Sequence, residues 1–415
     1  MQRLQRRNRS TLVVALSALF EMPLHEPQHV IVRNSPWYIR TTCLLALAAY
    51  GLASRPLTAF GLAPAPAETV IPWLDVQPKG RAMLNWQELT GWVTPNESLY
   101  EVSHYGKPKV DLANWRLDLT GFVRKPRSFS LAEIQKLPKR DIHATLECGG
   151  NGAGIGFMGA IGNVKWTGTP LGPILRDAGL LKRASEVVFY GADEKTEKIR
   201  EVEVLQRFAR SLSLEHACRS EVLLAWAMND QPLTEVHGAP LRLIVPGWFG
   251  IAWVKWLTRI DLIDRRFMGK WMAREYVTLR GEERLDGSTN WRETSVCNIN
   301  IKSIAARAVR RPDGSVRFTG AAWSDGTPLR SVEIRIDDGP WQPVRLRRKP
   351  SSARYTWTLW DFDWAKPSPG DHTVVSRAVD EDGRWQPPAE NQQIRDKKTY
   401  WEANQQWPRK IRIPE

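Results

Sequence analysis

The last third of the chain is written in short alternating strands, and this pattern constrains the fold most. "SVRFTGAAWSDG" (Ser315–Gly326), "RSVEIRIDDG" (Arg330–Gly339), "WQPVRL" (Trp341–Leu346), "RYTWTLWDFDW" (Arg354–Trp364) and "HTVVSRAVDEDG" (His372–Gly383) each alternate apolar and polar residues. Gly, Asp and Pro turns separate them at roughly ten-residue spacing. One strand of this kind has an apolar face it cannot bury alone; several in series bury theirs as two packed sheets. Residues 289–415 are therefore predicted to form an immunoglobulin-like β-sandwich. Its tail, "TYWEANQQWPRKIRIP" (Thr399–Pro414), reads either as a final strand or as an arm returning to the preceding domain.

Residues 68–288 have a different grammar. "WRLDLTGFV" (Trp115–Val123) alternates like a strand, and "EVVFYGAD" (Glu186–Asp193) and "LRLIVPG" (Leu241–Gly247) read as buried strands running into loops. "SLAEIQKLP" (Ser130–Pro138) carries an N-cap serine, Glu133 at the capping-box position and a closing proline. "TPLGPILRDAGL" (Thr169–Leu180) reads as a second short helix ending at a glycine. Helix and strand intermingle without a strict βαβ rhythm, so the fold class is α+β: a mixed domain followed by the sandwich. At 415 residues, two or three domains are expected.

Residues 1–67 read as a leader. Two apolar runs, Thr11–Phe20 and Thr41–Ser54, each follow arginines and fall short of the ~20 residues that span a bilayer. Arg6-Arg7 before the first run fits a twin-arginine export signal, and Ala65-Pro66-Ala67 offers a small-residue cleavage site. Export to the periplasm is the expectation, with a retained anchor or cytoplasmic residence as the alternatives. The net charge of +14 is partly this leader, which holds seven arginines against two glutamates. No helix-turn-helix, zinc-finger spacing or RNP motif accompanies it, so no nucleic-acid partner is expected.

The four cysteines, Cys43, Cys148, Cys218 and Cys297, are scattered without CxxC or CxxCH, which excludes a disulfide framework and a covalent c-type haem site. Cys218 and Cys297 read as inert thiols or as one disulfide. Cys148 is different. A strand-like approach, "DIHATLE", delivers it to "GGNGAGIG". On composition alone this is a buried thiol beside a glycine loop. A phosphate-gripping loop fits poorly, because no GK[ST] follows and no helix starts at the glycines.

Four segments in order decide between these readings: Thr-Leu-x-Cys-x-Gly-Asn at Cys148, "KWTGTPL", "HGAPLRLIVPGWFGIAWVKWLTRI" and the strand-rich C-terminal region. From about Trp86 to about Pro414 the chain resembles the sulfite oxidase family of molybdenum enzymes. The resemblance implies a Mo-molybdopterin cofactor in the first domain and a sandwich that makes a homodimer. It places the molybdenum ligand on Cys148, a soft thiolate suited to such a centre, with glycines that admit a bulky cofactor. The cofactor contacts fall on His104, Asp193, His237, Arg242 and Lys255, and the active-site tyrosine on Tyr276, with Trp271 packing nearby. Lys165 matches a basic position that would orient substrate.

The chain also departs from that family. Val102 stands where those enzymes have arginine two residues before His104, and Gly-Ala follows Asn151 where they have an arginine pair. With two cations missing, a dianion would lose more hydration than the pocket returns, so the expected substrate is a small oxyanion or sulfur compound, with sulfite bound weakly. No HPGG haem segment is present, so no haem is expected within the chain, and an external acceptor such as a c-type cytochrome is implied. The resemblance implies oxygen-atom transfer of the sulfite oxidase or sulfite dehydrogenase type. The alternatives are a reductase of sulfoxide-like groups and a non-catalytic binding module.

Overall fold

In the computed structural model, residues 68–75, 83–154, 157–347 and 353–415 are described. The leader-like segment, including Cys43, lies outside them. The first domain is built on two five-stranded sheets. One runs Arg242–Ile244, Leu223–Met228, Ile161–Pro170 and Arg140–Glu147 in spatial order, with Gln231–Pro232 paired to Leu223–Met228. The other runs Arg127–Phe129, Leu117–Gly121, Leu257–Ile263, Glu186–Ile199 and Val202–Ser213. Its single parallel pair joins Leu117–Gly121 to Leu257–Ile263.

Helices are few and short. Among the described residues the longest is the seven-residue Leu171–Asp177, and no helix is long and apolar enough to cross a membrane. Both predicted helices are present. At Leu131–Gln135, Ser130 Oγ accepts from the Glu133 amide (3.3 Å) while Glu133 Oε2 accepts from the Ser130 amide (2.7 Å), and these bonds satisfy donors the helix start leaves open. Leu171–Asp177 stops before Gly179, whose φ of +73° reverses the chain.

The sandwich pairs a five-stranded sheet (Thr69–Ile71, Lys302–Arg310, Val316–Trp323, Thr358–Trp364, Arg345–Leu346) with a four-stranded one (Gln342–Pro343, Leu329–Ile336, Gly370–Asp380, Arg409–Ile413). Alternation buries Val332, Ile334 and Ile336 of one sheet against Val316, Phe318 and Trp360 of the other. Thr69–Ile71 adds an edge strand to it, pairing with Arg310–Ala308, so the segment after the leader serves the sandwich. The change of character near residue 290 falls in a hairpin, Val277–Glu283 with Thr289–Ser295, that links the two halves.

The tail fulfils both of its readings. Arg409–Ile413 closes the second sandwich sheet, and residues 400–405 form an arm along the first domain. The larger apolar core is shared as well. Trp86 stacks on Trp323 (5.9 Å) and meets Trp357 (6.0 Å), joining first-domain and sandwich residues. Beneath the Cys148 turn, Lys302 of the sandwich bonds Glu147 Oε1 (2.5 Å) and the Asn151 carbonyl (3.0 Å), both ends of the ion pair being buried.

Candidate cofactor site

Cys148 is the first residue past the strand Arg140–Glu147. Its amide donates to the Ala160 carbonyl (2.9 Å), carrying the ladder one step beyond the strand, and its carbonyl accepts from the Asn151 amide (2.9 Å), closing a tight turn. Buried Asn151 locks that turn: its Nδ2 donates to Glu147 and its Oδ1 accepts from the Ala160 amide. Cys148 lines a narrow cavity of about 60 Å³ whose mouth opens to solvent.

Of the residues singled out in the sequence, Cys148, His104, Asp193, His237, Arg242, Lys255 and Tyr276 line this one cavity. Each is placed by a local device. Asp193 sits where the pairing of Glu186–Ile199 with Val202–Ser213 shifts register between Tyr190 and Glu194, and a bulge of this kind re-aims side chains. His237 ends a 3-10 turn closed by Gly238 at φ +101°, where a Cβ would lie 2.9 Å from that of Lys255. Arg242 opens a buried strand. Its guanidinium donates to the His237 carbonyl (3.0 Å) and lies over the Trp166 ring at 4.9 Å. Lys255 Nζ donates to the Val236 carbonyl (2.8 Å) above the ring of Trp256.

These groups form a basic cluster, and among the described residues no carboxylate is bonded to any of them. Burial pushes His237 down to about 4, with Arg242 and Lys255 adding to the shift. Burial lowers Arg242 to about 10. Lys255 falls to about 7, again through burial first and Arg242 second. Arg242 Nε and Asp193 Oδ1 are buried with no hydrogen-bond partner among the described residues. Buried polar groups left open in this way are costly; an anion in the cavity would satisfy Arg242 Nε, whereas Asp193 Oδ1 calls for a hydrogen-bond donor on the ligand.

At the other end, Tyr276 lies between the short helix Lys270–Ala273 and the hairpin, its carbonyl accepting from the Val296 amide (2.9 Å). Its hydroxyl is 2.7 Å from His104 Nε2. His104 is held between Phe208 (5.0 Å) and Trp271 (4.3 Å), so Trp271 does pack nearby as expected. Burial pushes His104 down to about 4 and raises the Tyr276 phenol far above its usual range, so both are uncharged at neutral pH. Val102 presents an apolar surface to the cavity where a cation was expected and is absent.

Lys165 is not brought to this site. It bonds Asp230 (2.6 Å) and Asp141 (3.3 Å) and does not line the cavity. Its cross-strand partner is His143, five residues before Cys148. At ~3.4 Å per residue that is roughly 17 Å along the strand, and the odd spacing turns it to the opposite face. The glycines also have a second use. Only Gly149 of the turn lines the cavity; Gly150 and Gly152 face the C-terminal arm, where added Cβ atoms would meet Tyr400 (3.4 Å) and the Ala403 carbonyl (3.2 Å). Cys218 and Cys297 are free thiols.

Sequence reasoning missed Tyr100, Phe208 and Arg210. Tyr100 and Phe208 line the cavity. Arg210, fully buried, ties the Trp271 carbonyl (2.5 Å) to the Val296 carbonyl (2.6 Å) and so fixes both flanks of Tyr276. A strand arginine among ordinary strand residues gives no local signal of that role.

Among the described residues no group of three or more His, Cys, Asp or Glu side chains is placed to hold a metal ion. A metal at Cys148 would therefore need its remaining ligands from a bound cofactor. Residues 104–271 match the oxidoreductase molybdopterin-binding domain. The chain is 30% identical over 322 residues to the mitochondrial sulfite oxidase of Drosophila melanogaster, covering 69% of this chain and 54% of that protein. It is 29% identical over 343 residues to the sulfite oxidase of Arabidopsis thaliana (72% and 83%), and 28% identical over 313 residues to nitrate reductase [NADH] 1 of the same plant (66% and 33%). It spans about half the length of the animal mitochondrial sulfite oxidases it matches. The fold is similar to that of the sulfane dehydrogenase SoxCD from Paracoccus pantotrophus, with TM-score 0.67 at 24% identity, covering 87% of this chain and 95% of that one. The chain thus carries a molybdopterin-binding oxidoreductase domain and is a homologue of the sulfite oxidases.

Proposed function

We propose that this chain is a Mo-molybdopterin enzyme that oxidises a sulfur compound by oxygen-atom transfer and passes the electrons to an external acceptor such as a c-type cytochrome. The observation that carries this reading is one cavity lined both by the Cys148 thiol and by the basic residues His237, Arg242 and Lys255. His237, Arg242 and Lys255 would grip an anionic phosphate end through charge-assisted hydrogen bonds. Asp193 and His104 would contact the pterin, and the Cys148 thiolate would hold the metal. Bound there, the cofactor supplies a two-electron centre able to transfer an oxygen atom.

The chain's own residues set position and protonation around it. If His104 carries its proton on Nε2 and donates it to the Tyr276 oxygen, the phenol hydrogen is left to point at a substrate oxygen. Because burial keeps Tyr276 protonated, that donor persists across the physiological pH range. Arg210 steadies the phenol from behind.

The test is metal and pterin analysis of protein made in a cofactor-competent host, alongside two assays: sulfite-dependent reduction of cytochrome c, and sulfoxide-dependent oxidation of a reduced dye. About one molybdenum per chain with activity in the first assay supports the reading. Activity in the second alone would reverse the direction of the reaction. Protein free of molybdenum would leave a binding module.

A further inference from the structure

One residue of the C-terminal arm ties together the Cys148 turn and the hairpin that follows Tyr276. The Glu402 amide donates to the Gly149 carbonyl (2.7 Å), and its carboxylate pairs with Arg280 of the hairpin (2.5 Å). Its carbonyl accepts from Asn300 Nδ2 (2.8 Å). Glu402 is buried, and its φ of +56° lies in the left-handed region that residues other than glycine seldom enter. Backbone held in such a conformation persists only where its surroundings over-determine it. The amide, carboxylate and carbonyl bonds do that here.

Glu402 thereby fixes its neighbour Trp401, whose carbonyl also accepts from Lys397 Nζ (2.6 Å). The Trp401 ring stacks on Tyr276, with centroids 4.1 Å apart and planes 27° from parallel. The other rings beside Tyr276 meet it differently: His104 stands edge-on at 76° and Trp271 is tilted at 53°. Gly149 lies close as well, since an added Cβ there would stand 3.5 Å from the Tyr276 ring.

This arrangement solves a problem that the His104 bond leaves open. A tyrosine ring turns about its Cβ–Cζ axis without moving its oxygen, and that torsion is intrinsically broad. The 2.7 Å contact with His104 Nε2 therefore fixes the phenol oxygen but not the ring plane. Conjugation keeps a phenol hydrogen in the plane of its ring, so the plane decides where the hydrogen points. The face contact with Trp401 sets that plane.

We propose that Trp401, held by Glu402, is a positioning residue of the reaction: it sets the plane of the Tyr276 ring and so aims the phenol hydrogen at the substrate. Through the Glu402–Gly149 bond the same arm ties that aim to the Cys148 turn. The inference rests on the reading of Tyr276 as a donor to substrate in a sulfur-oxidising enzyme.

The first test needs no cofactor. Full-length, cofactor-free protein is labelled with 3-fluorotyrosine, and the Tyr276 fluorine resonance is identified by its loss in Tyr276→Phe. Trp401→Leu keeps apolar bulk but removes the flat face. It should move that resonance downfield, because the stacked ring shields it, and Trp401→Phe should keep most of the shielding. The second test follows sulfite oxidation by molybdenum-loaded protein with ferricyanide as acceptor. Sulfite takes one oxygen from water to become sulfate, releasing two protons and giving two electrons to two ferricyanides. Misplacing a reacting group by 1 Å can cost about 100-fold; a lost aim with the oxygen still tethered should cost less. Trp401→Leu should lower kcat by about tenfold on that scale, with KM unchanged within about twofold, and Trp401→Phe should recover most of the loss. In a Tyr276→Phe background there is no phenol hydrogen to aim, so Trp401→Leu should then change kcat by less than about twofold. An unmoved fluorine resonance, or equal kcat losses in both backgrounds with molybdenum content unchanged, overturns the aiming role and leaves the enzyme reading standing. Wild-type protein with one molybdenum per chain that oxidises no sulfite defeats the enzyme reading itself, and the aiming role with it.

Discussion

Cys148 and the cationic cluster make separable demands on the same ligand, and single substitutions should part them. Cys148→Ser swaps a soft donor for a hard one of nearly the same size, so the chain should fold and keep its pterin through His237, Arg242 and Lys255. Turnover should fall by about two orders of magnitude or more, the scale on which single reacting groups act; assaying pterin and molybdenum separately on the purified variant checks this. Arg242→Ala acts at the opposite end. A hydrogen bond to a charged group is worth about 1.5–3 kcal/mol, so cofactor retention should weaken by roughly 10- to 100-fold, measured as pterin lost during gel filtration. Cys148 stood out in the sequence because the strand before it and the glycines after it are local. The partners His104, Asp193, His237, Arg242, Lys255 and Tyr276 were placed by resemblance alone, since a bulge at Asp193 leaves no periodic trace. Lys165 shows the limit of that route: a matching basic residue says nothing of strand parity, and two neighbouring aspartates hold it.

At the scale of elements, the Cys148 turn is built by parts far apart in the chain. The sandwich contributes Lys302 beneath it and the arm above it; the returning arm was legible in the tail, but the contacts that Lys302 and the arm make were not, because a strand lysine and a tail tryptophan have no local signature of contacts more than 150 residues away. The capped helix Leu131–Gln135 and the sandwich strands were legible for the converse reason: caps and alternation act within a few residues. The buried Lys302–Glu147 pair gives a direct test. Lys302→Met leaves the Glu147 carboxylate buried and opposed only by the Trp323 indole (2.8 Å) and Asn151. Removing one partner of a buried pair costs about 3–5 kcal/mol, to be read as a shift in the denaturation midpoint. Pairing it with Glu147→Gln should recover much of that loss, since the uncompensated charge is then gone. The single variant should also release cofactor faster, because Lys302 holds the Asn151 carbonyl that shapes the cysteine turn.

Across the whole molecule, buried and half-buried bases tie stability to pH, and cofactor changes the slope. His104, His216 and His237 are each pushed down to about 4, chiefly by burial. Between pH 6.5 and about 4 the unfolded chain therefore binds more protons than the folded one, so their stability is complete above pH 6.5 and is lost as pH falls through that window. Asp193, raised to about 6 by burial, works against them between its ordinary value and 6, where the folded state holds the extra proton. Lys255 and Lys397, both lowered to about 7, extend the gain in stability with rising pH up to about 10. With three histidines set against one aspartate at low pH and two lysines acting above, the melting temperature of cofactor-free protein should climb from pH 4.5 to 6.5 and continue to climb at a similar slope between about 7 and 10. A bound phosphate end reverses the cause at His237 and Lys255: an anion favours their protonated forms and brings both back toward ordinary values. Cofactor-loaded protein should then show a shallower climb over both windows, the two curves separating most at low pH. Parallel curves would mean that the ligand's negative charge lies away from His237 and Lys255, and the cationic end would lose its assigned role.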